Sequence, residues 1–343
     1  MRETERESEA RVLAPKPSSP VAPAAGPPTI SVVIPVYQGA DTIAEAIDSA
    51  LSQHPPAHEV IVCDDGSTDA LEQSLTRFAG KIGLVQQART GVSAARNAAC
   101  RQASGEFVLF LDADDVLLPG KLAALVQLGQ RRPDLDILCT DIYFEREGQR
   151  AGRFGEANPF PWQEQRQVAL ERCFVAQPSV RRSRLLEVGG FDESLRTAED
   201  WDCLLRLVLD GSMVGLHDEP LAVYRINAGS LTSSRADTFR DRARVLEKAL
   251  ANPALGPRER PVARRLLADQ RARATLSETQ AAVADHRADL RRRCLELALT
   301  SKAPLRSRLW ALAIFASPGG LRPRLARRLN ATSQLSRRLP GGT

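Results

Sequence analysis

The feature that most constrains the fold is an apolar run that ends abruptly in acid. Residues 105–119 read Gly-Glu-Phe-Val-Leu-Phe-Leu-Asp-Ala-Asp-Asp-Val-Leu-Leu-Pro, and the apolar stretch 107–111 predicts a central strand of a parallel sheet. Asp112, Asp114 and Asp115 follow at its carboxyl end, where open α/β sheets bind ligands. Crowded carboxylates repel one another unless a cation shares them, so a divalent-ion site and a solvated acidic turn are both open interpretations.

The residues before this strand alternate between strand and helix patterns. Strands are predicted at 30–37, 59–63 and 81–87, and helices follow each of them, the first with Asp41 as a candidate N-cap. The second strand also ends in acid, at Asp64 and Asp65. This alternation predicts a doubly wound, mostly parallel α/β sheet of the nucleotide-binding kind.

The residues after the acidic strand continue the pattern less regularly. A helix is predicted at 122–128, and strands are predicted at 137–144, 174–180 and 221–226. Residues 145–165 are polar and glycine-containing, which predicts either a substrate-reaching surface loop or a plain connector. Ala198-Glu-Asp-Trp-Asp opens a further helix, and from about residue 237 the chain reads as helical and arginine-rich.

The charge distribution divides the chain. Residues 1–235 carry 24 Lys/Arg and 33 Asp/Glu, whereas residues 236–343 carry 23 and 9. Residues 1–28 mix charges with six prolines, which predicts a disordered leader. The charge division then predicts an acidic domain at 29–235 that holds the chemistry and a basic helical extension at 236–343. No nucleic-acid recognition motif accompanies the arginines, so an anionic membrane surface or an acidic partner is favoured over nucleic acid.

The end of the extension has an amphipathic pattern. Residues 301–343 contain nine Lys/Arg and no acid, with Leu305, Leu309 and Leu312 at helical spacing and Leu321, Leu325 and Leu329 likewise. This pattern is typical of helices that lie on an anionic inner leaflet, but the leucines would also suit packing on the chain's own helices.

Cysteine and histidine usage excludes several classes of protein. The six cysteines are scattered through apolar runs and the four histidines form no cluster, which indicates reduced core thiols and disfavours a zinc site. The first residues lack the apolar core of a signal peptide, and no apolar run approaches the roughly 20 residues that span a bilayer. We expect a cytoplasmic protein, peripheral on the membrane's inner face if the tail binds lipid.

Five ordered segments together resemble the inverting nucleotide-sugar glycosyltransferases of family 2, which have the GT-A fold. They are Ser-Val-Val-Ile-Pro-Val-Tyr at 31–37, Val-Cys-Asp-Asp-Gly-Ser-Thr-Asp at 62–69, Gly-Val-Ser-Ala-Ala-Arg-Asn at 91–97, Leu-Asp-Ala-Asp-Asp at 111–115, and 189–202 ending in Glu-Asp-Trp-Asp. The resemblance covers about residues 29–235 and does not reach the basic extension. It implies transfer of a sugar from a nucleoside-diphosphate sugar to a hydroxyl acceptor, with products such as a polysaccharide, glycolipid or glycoprotein.

The resemblance also implies a donor site. Pro35, Tyr37, Asp64 and Asp65 match residues that hold the base and ribose. Asp112 and Asp114 match the family's Asp-x-Asp, the first as a ribose contact and the second as a Mn²⁺ or Mg²⁺ ligand, while Asp115 is either a supporting acid or a helix cap. For Arg96 two roles stay open, support of the pyrophosphate or the ordering of Asp64 and Asp112.

By the same resemblance, Asp200 is the general base that takes a proton from the acceptor hydroxyl. Glu199, Trp201 and Arg225 are candidate acceptor or diphosphate contacts, although acids also suit a helix amino terminus and a tryptophan suits a core. Many family members have a histidine where this chain has Asn227, a poorer metal ligand, so the resemblance leaves metal dependence open.

Three other functions compete with glycosyl transfer. Asp112-Ala-Asp-Asp-Val also matches the D-x-D-x-T/V signature of haloacid-dehalogenase-type phosphatases, but in those proteins the motif follows the first strand. A nucleotidyltransferase would need a glycine-rich, arginine-containing loop after the first strand. A non-catalytic sugar-nucleotide-binding scaffold is disfavoured by the presence of both Asp114 and Asp200.

Overall fold

The computed structural model of the protein describes residues 26–226, 235–284 and 289–316. Nine strands form a single sheet in this part of the chain. They are β1 Ile30–Val36, β2 Glu59–Asp64, β3 Gly83–Gln86, β4 Phe107–Phe110, β5 Val116–Leu117, β6 Ile137–Arg146, β7 Gln149–Arg153, β8 Ser179–Arg181 and β9 Val214–Arg225.

Helices connect and flank these strands. They are α1 Ile43–Leu51, α2 Leu71–Leu75, α3 Val92–Gln102, α4 Lys121–Arg131, α5 Phe154–Ala157, α6 Gln165–Glu171, α7 Arg182–Glu187, α8 Glu199–Leu209, α9 Arg235–Ala251, α10 Glu259–Ala284, α11 Leu290–Leu299 and α12 Leu305–Ala316, with a short 3₁₀ turn at Thr76–Phe78.

The sheet has the order β3-β2-β1-β4-β8-β6-β9-β5, with β7 paired to β6. Strands β1 to β4 pair in parallel, and β6 and β9 run in the same direction beyond the antiparallel β8. Alternate side chains enter two cores, one beneath α1 and α4 and the other beneath α3, α8, α9 and α10. The predicted mostly parallel α/β fold is confirmed, and the carboxyl ends of β1, β2 and β4 meet at one edge of the sheet.

Three local predictions were wrong. Residues 145–165 form mainly the end of β6, strand β7 and helix α5 rather than a loop, because Gly148 adopts the positive φ of a tight turn. The strand predicted at 174–180 is reduced to β8, because Gln177 has a φ of 45° and Pro178 has no N–H to donate. Helix α1 begins after Thr42, so Asp41 is not its N-cap.

The helical extension is joined to the sheet domain by shared core. Val245 and Leu246 of α9 and Ala263 of α10 are fully or almost fully buried in the same core as Val33 and Phe110 of the sheet. By contrast, α11 and α12 form a separate small core with Ala272 of α10. The predicted boundary near residue 235 therefore coincides with the start of α9 but not with a break in packing.

The amphipathic segment is described only as far as residue 316, so Leu321, Leu325 and Leu329 lie outside the described residues. Leu305, Leu309 and Leu312 are exposed to 68%, 56% and 44%. Within the described part, these leucines lie outside the small core that α11 and α12 form. None of the described helices is long and apolar enough to cross a membrane.

One lysine is sealed inside the domain. Lys121, the first residue of α4, is 0% exposed, and its Nζ donates to Thr140 Oγ1 at 2.8 Å. Burial lowers the pKa of Lys121 from 10.5 to about 8, although the nearby Cys139 and Asp141 act in the opposite direction. A buried ammonium with so low a pKa costs free energy whenever it is charged.

We expect Lys121→Met to raise the free energy of unfolding at pH 7 by up to about 3 kcal/mol, the value of the pKa difference. Because the pKa of Lys121 is lower in the folded state than in the unfolded state, the unfolded state binds more protons between pH 8 and 10.5. The destabilisation that Lys121 causes therefore decreases as pH rises. Urea unfolding at pH 7 and 9.5 measures both effects.

The exposed Lys81 supplies the control, since Lys81→Met removes the same charge from a solvated site. A Lys121→Met protein that is less stable than the wild type at pH 7, or whose advantage does not shrink at pH 9.5, would contradict this account.

Candidate active site

Tyr37 marks the carboxyl end of β1. Its ring is covered by the guanidinium of Arg89, whose Cζ lies 3.8 Å from the ring centroid, and Arg89 Nη1 donates to Tyr37 Oη at 2.6 Å. Tyr37 is 38% exposed and Pro35 is buried within β1. Sequence reasoning missed Arg89, which precedes α3 and carries no motif signal.

Asp64 and Asp65 end β2 and have different partners. Asp65 accepts from Gln87 Nε2 at 2.7 Å, and from the backbone N–H groups of Thr90 and Gly91, both at 2.8 Å. It therefore anchors the loop that leads into α3. Asp64 accepts from the N–H of Ser67 at 2.8 Å, which stabilises the turn at residues 64–67.

Arg96 on α3 bridges two carboxylates from distant parts of the chain. Its Nη2 lies 2.7 Å from Asp112 Oδ1, and its Nη1 lies 2.8 Å from Glu199 Oε1. Burial by itself lowers the pKa of Arg96, but the charges of Asp112 and Glu199 outweigh it and raise that pKa above its ordinary value. Of the two roles predicted for Arg96, the contact that orders Asp112 is observed, whereas the ion pairs of Arg96 are with Asp112 and Glu199 and not with Asp64.

Asp115 is a buried acid at the same strand end. It is 1% exposed and accepts from the N–H of Arg225 at 2.9 Å and from Gln177 Nε2 at 2.6 Å. Burial, together with the charges of Asp112 and Asp114, raises the pKa of Asp115 well above its ordinary value. Asp115 therefore joins the acidic turn to β9 and to the segment before β8, and caps no helix.

Asp200 lies in the first turn of α8, where its side chain is exposed. The residue before this turn, Ala198, has a φ of 60°, a left-handed conformation that costs a non-glycine residue about 1 kcal/mol or more. Of the two acids that follow, Glu199 is half-buried and Asp200 is exposed. Glu199 turns inward to Arg96, and burial, reinforced by the charge of Asp200, raises the pKa of Glu199.

Helix α9 fixes the segment that leads into α8. Asp241 Oδ2 accepts from the N–H groups of Arg196 and Thr197 at 3.2 and 3.0 Å, and from Thr197 Oγ1 at 3.1 Å. Lys248 Nζ lies 2.6 Å from Asp192 and 2.7 Å from Asp202. The extension thus supplies the anchor of the α8 amino terminus, which the sequence pattern did not reveal.

Two predicted contact residues have other partners. Trp201 is 5% exposed and donates from Nε1 to the Ala169 carbonyl at 2.6 Å, so it is a core residue rather than an acceptor platform. Arg225 binds Glu45 through both terminal nitrogens, at 2.7 and 2.8 Å, and Glu145 through Nε at 3.1 Å. Asn227 lies outside the described residues.

A cavity of about 340 Å³ brings the two halves of the site together. Asp112, Arg96, Gln177 and Asp200 line its polar part, and its apolar wall includes Phe110, Phe144, Phe154, Phe191, Leu204 and Tyr224. Cavities of this size accept small-molecule ligands. The predicted donor-side residue Asp112 and the predicted base Asp200 therefore face one space.

The acidic turn fits a divalent ion that is bound mainly through water and substrate. Mg²⁺ and similar ions are commonly held by one or two carboxylates plus substrate phosphates. Among the described residues no group of three or more His, Cys, Asp or Glu side chains forms a metal cage. Burial is the main cause of the raised pKa of Asp115, and the charges of the neighbouring Asp112 and Asp114 add to it. Three acids within four residues give this turn a negative charge that favours a cation.

The acid at the carboxyl end of β4, Asp112, thus shares one cavity with the exposed carboxylate of Asp200. Residues 31–180 match the model of the family described as Glycosyl transferase family 2. This part of the chain matches that family, and the predicted resemblance to family 2 glycosyltransferases is confirmed. The phosphatase and nucleotidyltransferase alternatives receive no support from this match.

Several curated proteins are similar to this chain in sequence. The chain is 32% identical over 209 residues to the succinoglycan biosynthesis protein ExoU of Rhizobium meliloti, covering 55% of this chain and 59% of that protein. It is 30% identical over 218 residues to the uncharacterized glycosyltransferase EpsJ of Bacillus subtilis, covering 60% and 63%. An uncharacterized glycosyltransferase of Rickettsia felis is 27% identical, but the match spans only 34% of its length.

Solved structures share the fold over most of the chain. S. aureus TarS 1-349 in complex with UDP-GlcNAc has a TM-score of 0.59 at 19% identity, covering 90% of this chain and 92% of that one. The mannosyltransferase PcManGT from Pyrobaculum calidifontis, in complex with GDP-Man and Mn²⁺, has a TM-score of 0.58 at 21% identity, covering 92% and 82%. The GT-A fold is thereby confirmed.

We expect Arg96→Met to lower the free energy of unfolding by about 3 kcal/mol, because it leaves the buried Glu199 without its counter-charge. Urea unfolding measures this loss, and Arg101→Met, an exposed position on the same helix, should change stability by less than about 0.5 kcal/mol. In a Glu199→Gln background Arg96→Met should cost clearly less; additive losses would mean that the bridge is not the cause.

Proposed function

We propose that the protein is an inverting glycosyltransferase that moves a sugar from a nucleoside-diphosphate sugar to a hydroxyl acceptor. The observation that carries this proposal is the shared cavity, which is lined by Asp112, Arg96 and Asp200. An exposed carboxylate in the same cavity as the donor-side Asp112 suits a base that activates an acceptor hydroxyl beside the donor.

In this proposal Asp200 is the general base. Its exposed carboxylate accepts the proton of the acceptor hydroxyl as that oxygen attacks the anomeric carbon. The anomeric C–O bond breaks as the new one forms, the nucleoside diphosphate leaves, and a single displacement inverts the centre. The Arg96 bridge to Glu199 holds the start of α8 in register with Asp112 during this step.

The donor nucleotide is assigned to the carboxyl ends of β1, β2 and β4. Tyr37 and Asp64 are the proposed contacts to the base and ribose, with Pro35 and Asp65 shaping the site from within. Asp112 is the proposed ribose contact. The two structural neighbours contain UDP-GlcNAc and GDP-Man, which supports a nucleoside-diphosphate sugar as donor.

Asp114 is the proposed protein ligand of Mn²⁺ or Mg²⁺. When bound, such an ion would neutralise charge on the leaving diphosphate. The negative potential of the acidic turn and the Mn²⁺ in PcManGT support this assignment. Arg225 lies beside the turn, with Nη1 3.4 Å from the Asp114 carbonyl oxygen, and is the proposed second cation near the phosphates.

The acceptor is proposed to be membrane-borne. Residues 301–343 carry nine basic residues and no acid, which suits the anionic inner leaflet and a lipid-linked hydroxyl acceptor. One relative is named a succinoglycan biosynthesis protein, which supports a place in polysaccharide synthesis. The proposed location is the cytoplasmic face of the membrane, without a nucleic-acid partner.

We expect Asp200→Asn to reduce transfer by about 10²–10⁴-fold while leaving donor binding nearly unchanged, because the amide cannot accept the hydroxyl proton. Product formation and calorimetric binding of the diphosphate measure the two effects, with the exposed Asp134→Asn as control. Proton NMR of the product reports the anomeric configuration, and retention of the donor's configuration would rule out the single displacement.

Donor and metal binding can be tested without turnover. We expect one of UDP, GDP, dTDP, CMP and ATP to raise the melting temperature, with a larger shift in Mn²⁺, because a ligand of the native state stabilises it by mass action. Asp114→Ala should remove the gain from Mn²⁺, whereas Asp218→Ala at an exposed site should not. If no nucleotide shifts the melting temperature of the wild-type protein, the transferase proposal fails.

A further inference from the structure

Helix α12 has two apolar faces. Its inner face packs into the small core through Ala311 and Ile314, both fully buried, and through the partly buried Trp310 and Phe315. Its outer face is the leucine face, defined as Leu305, Leu309 and Leu312, which follow one another at intervals of four and three residues. A helix face that meets only water is normally polar, so this one needs a partner.

The preceding helix extends the exposed apolar surface. Leu295 and Leu299 of α11 are 41% and 72% exposed, and Cys294, Leu297 and Ala298 fill that helix's buried side. Leu299 and Leu305 flank the short turn that joins the two helices.

The surroundings of the leucine face are cationic. Lys302 and Arg306 are exposed, and Arg308 is half-buried on the other side of the face. Arg291 and Arg292 on α11 are exposed as well, and Arg292 Nε lies 3.5 Å from Glu296 Oε1. An apolar stripe with arginine and lysine at its borders is the composition of helices that lie in a membrane interface.

The leucine face has three candidate partners, namely a second copy of the chain, the chain's own residues 317–343 and an anionic lipid surface. The charges around the face decide between them. A second copy docking through this face would bring one set of basic residues against the other, since residues 301–343 contain no acid. The same conflict arises for the chain's own residues 317–343, which add six arginines and no acid. An anionic lipid surface satisfies both the leucines and the cations.

We infer that the leucine face of α12 is a membrane-binding surface for anionic bilayers. The helix lies parallel to the membrane plane, with the three leucines in the headgroup–acyl boundary and Lys302 and Arg306 at the phosphates. This inference deepens the proposed function, on which it rests for the placement of a membrane-borne acceptor, and it names α12 within the basic extension as the contact.

The test is co-sedimentation of the full chain with vesicles of phosphatidylcholine alone or with 30% phosphatidylglycerol, a composition of about one anionic lipid in three. We expect binding to the anionic vesicles only, weakened by salt. The variant Leu305→Ser/Leu309→Ser/Leu312→Ser should bind the anionic vesicles at least about tenfold more weakly than the wild type, because burial of apolar side chains drives insertion. Leu186→Ser, which removes a leucine that is 42% exposed on α7, should bind like the wild type.

Other results would overturn the inference. Binding that is equal on neutral vesicles, or unchanged in the triple variant, would remove the leucine face from membrane contact. A dimer in light scattering that the triple variant dissociates would assign the face to a second copy. Hydrogen-exchange protection of α12 without vesicles, lost on deletion of 317–343, would assign it to the tail.

The readouts separate this inference from the proposed function. Because the leucine face lies outside the cavity, the triple variant should keep the wild-type melting shift with the nucleoside diphosphate. If the triple variant loses vesicle binding but keeps this melting shift, the result reports on the membrane contact of α12 and leaves the proposed function untouched. Retained vesicle binding in a protein that binds no nucleotide would count against the transferase proposal alone.

Discussion

The candidate site depends on one guanidinium shared by two carboxylates. Arg96 is 16 residues from Asp112 and 103 residues from Glu199 in sequence, yet it contacts both. It thereby fixes the turn after β4 relative to the start of α8, with α3 as the rigid support between them. Because Asp200 directly follows Glu199, the position of the proposed base is set by an ion pair in which it takes no part.

The acidic turn shows how the fold tolerates concentrated negative charge. Asp112 is offset by Arg96, and Asp115 is buried with donors from Gln177 and Arg225. Gln177 reaches Asp115 from a backbone with positive φ, which is a strained arrangement of the kind found at functional sites. These contacts order the turn while Asp112 and Asp114 keep a negative potential that a cationic ligand would relieve.

The sequence predicted the sheet and its acidic edge well, because both depend on local patterns. Continuous apolar runs identified β1, β2 and β4, and the acids that follow them were placed correctly at one edge. The contacts of these acids were less predictable, because each depends on residues brought together by the tertiary fold. Arg89 over Tyr37, Gln177 on Asp115 and Glu45 on Arg225 carry no motif, and the burial of Trp201 depends on the carbonyl of Ala169.

The tie between α9 and the start of α8 also bears on how the protein is made. A nascent chain that has emerged as far as residue 235 contains every proposed donor, metal and base residue, yet it lacks Asp241 and Lys248. Until α9 emerges, the backbone N–H groups of Arg196 and Thr197 have no carboxylate to bind, and Asp192 and Asp202 lack their lysine. The sheet edge therefore leaves the ribosome before the helix that aligns the proposed base, Asp200. Folding of the site thus depends on a helix outside the segment that matches the family model.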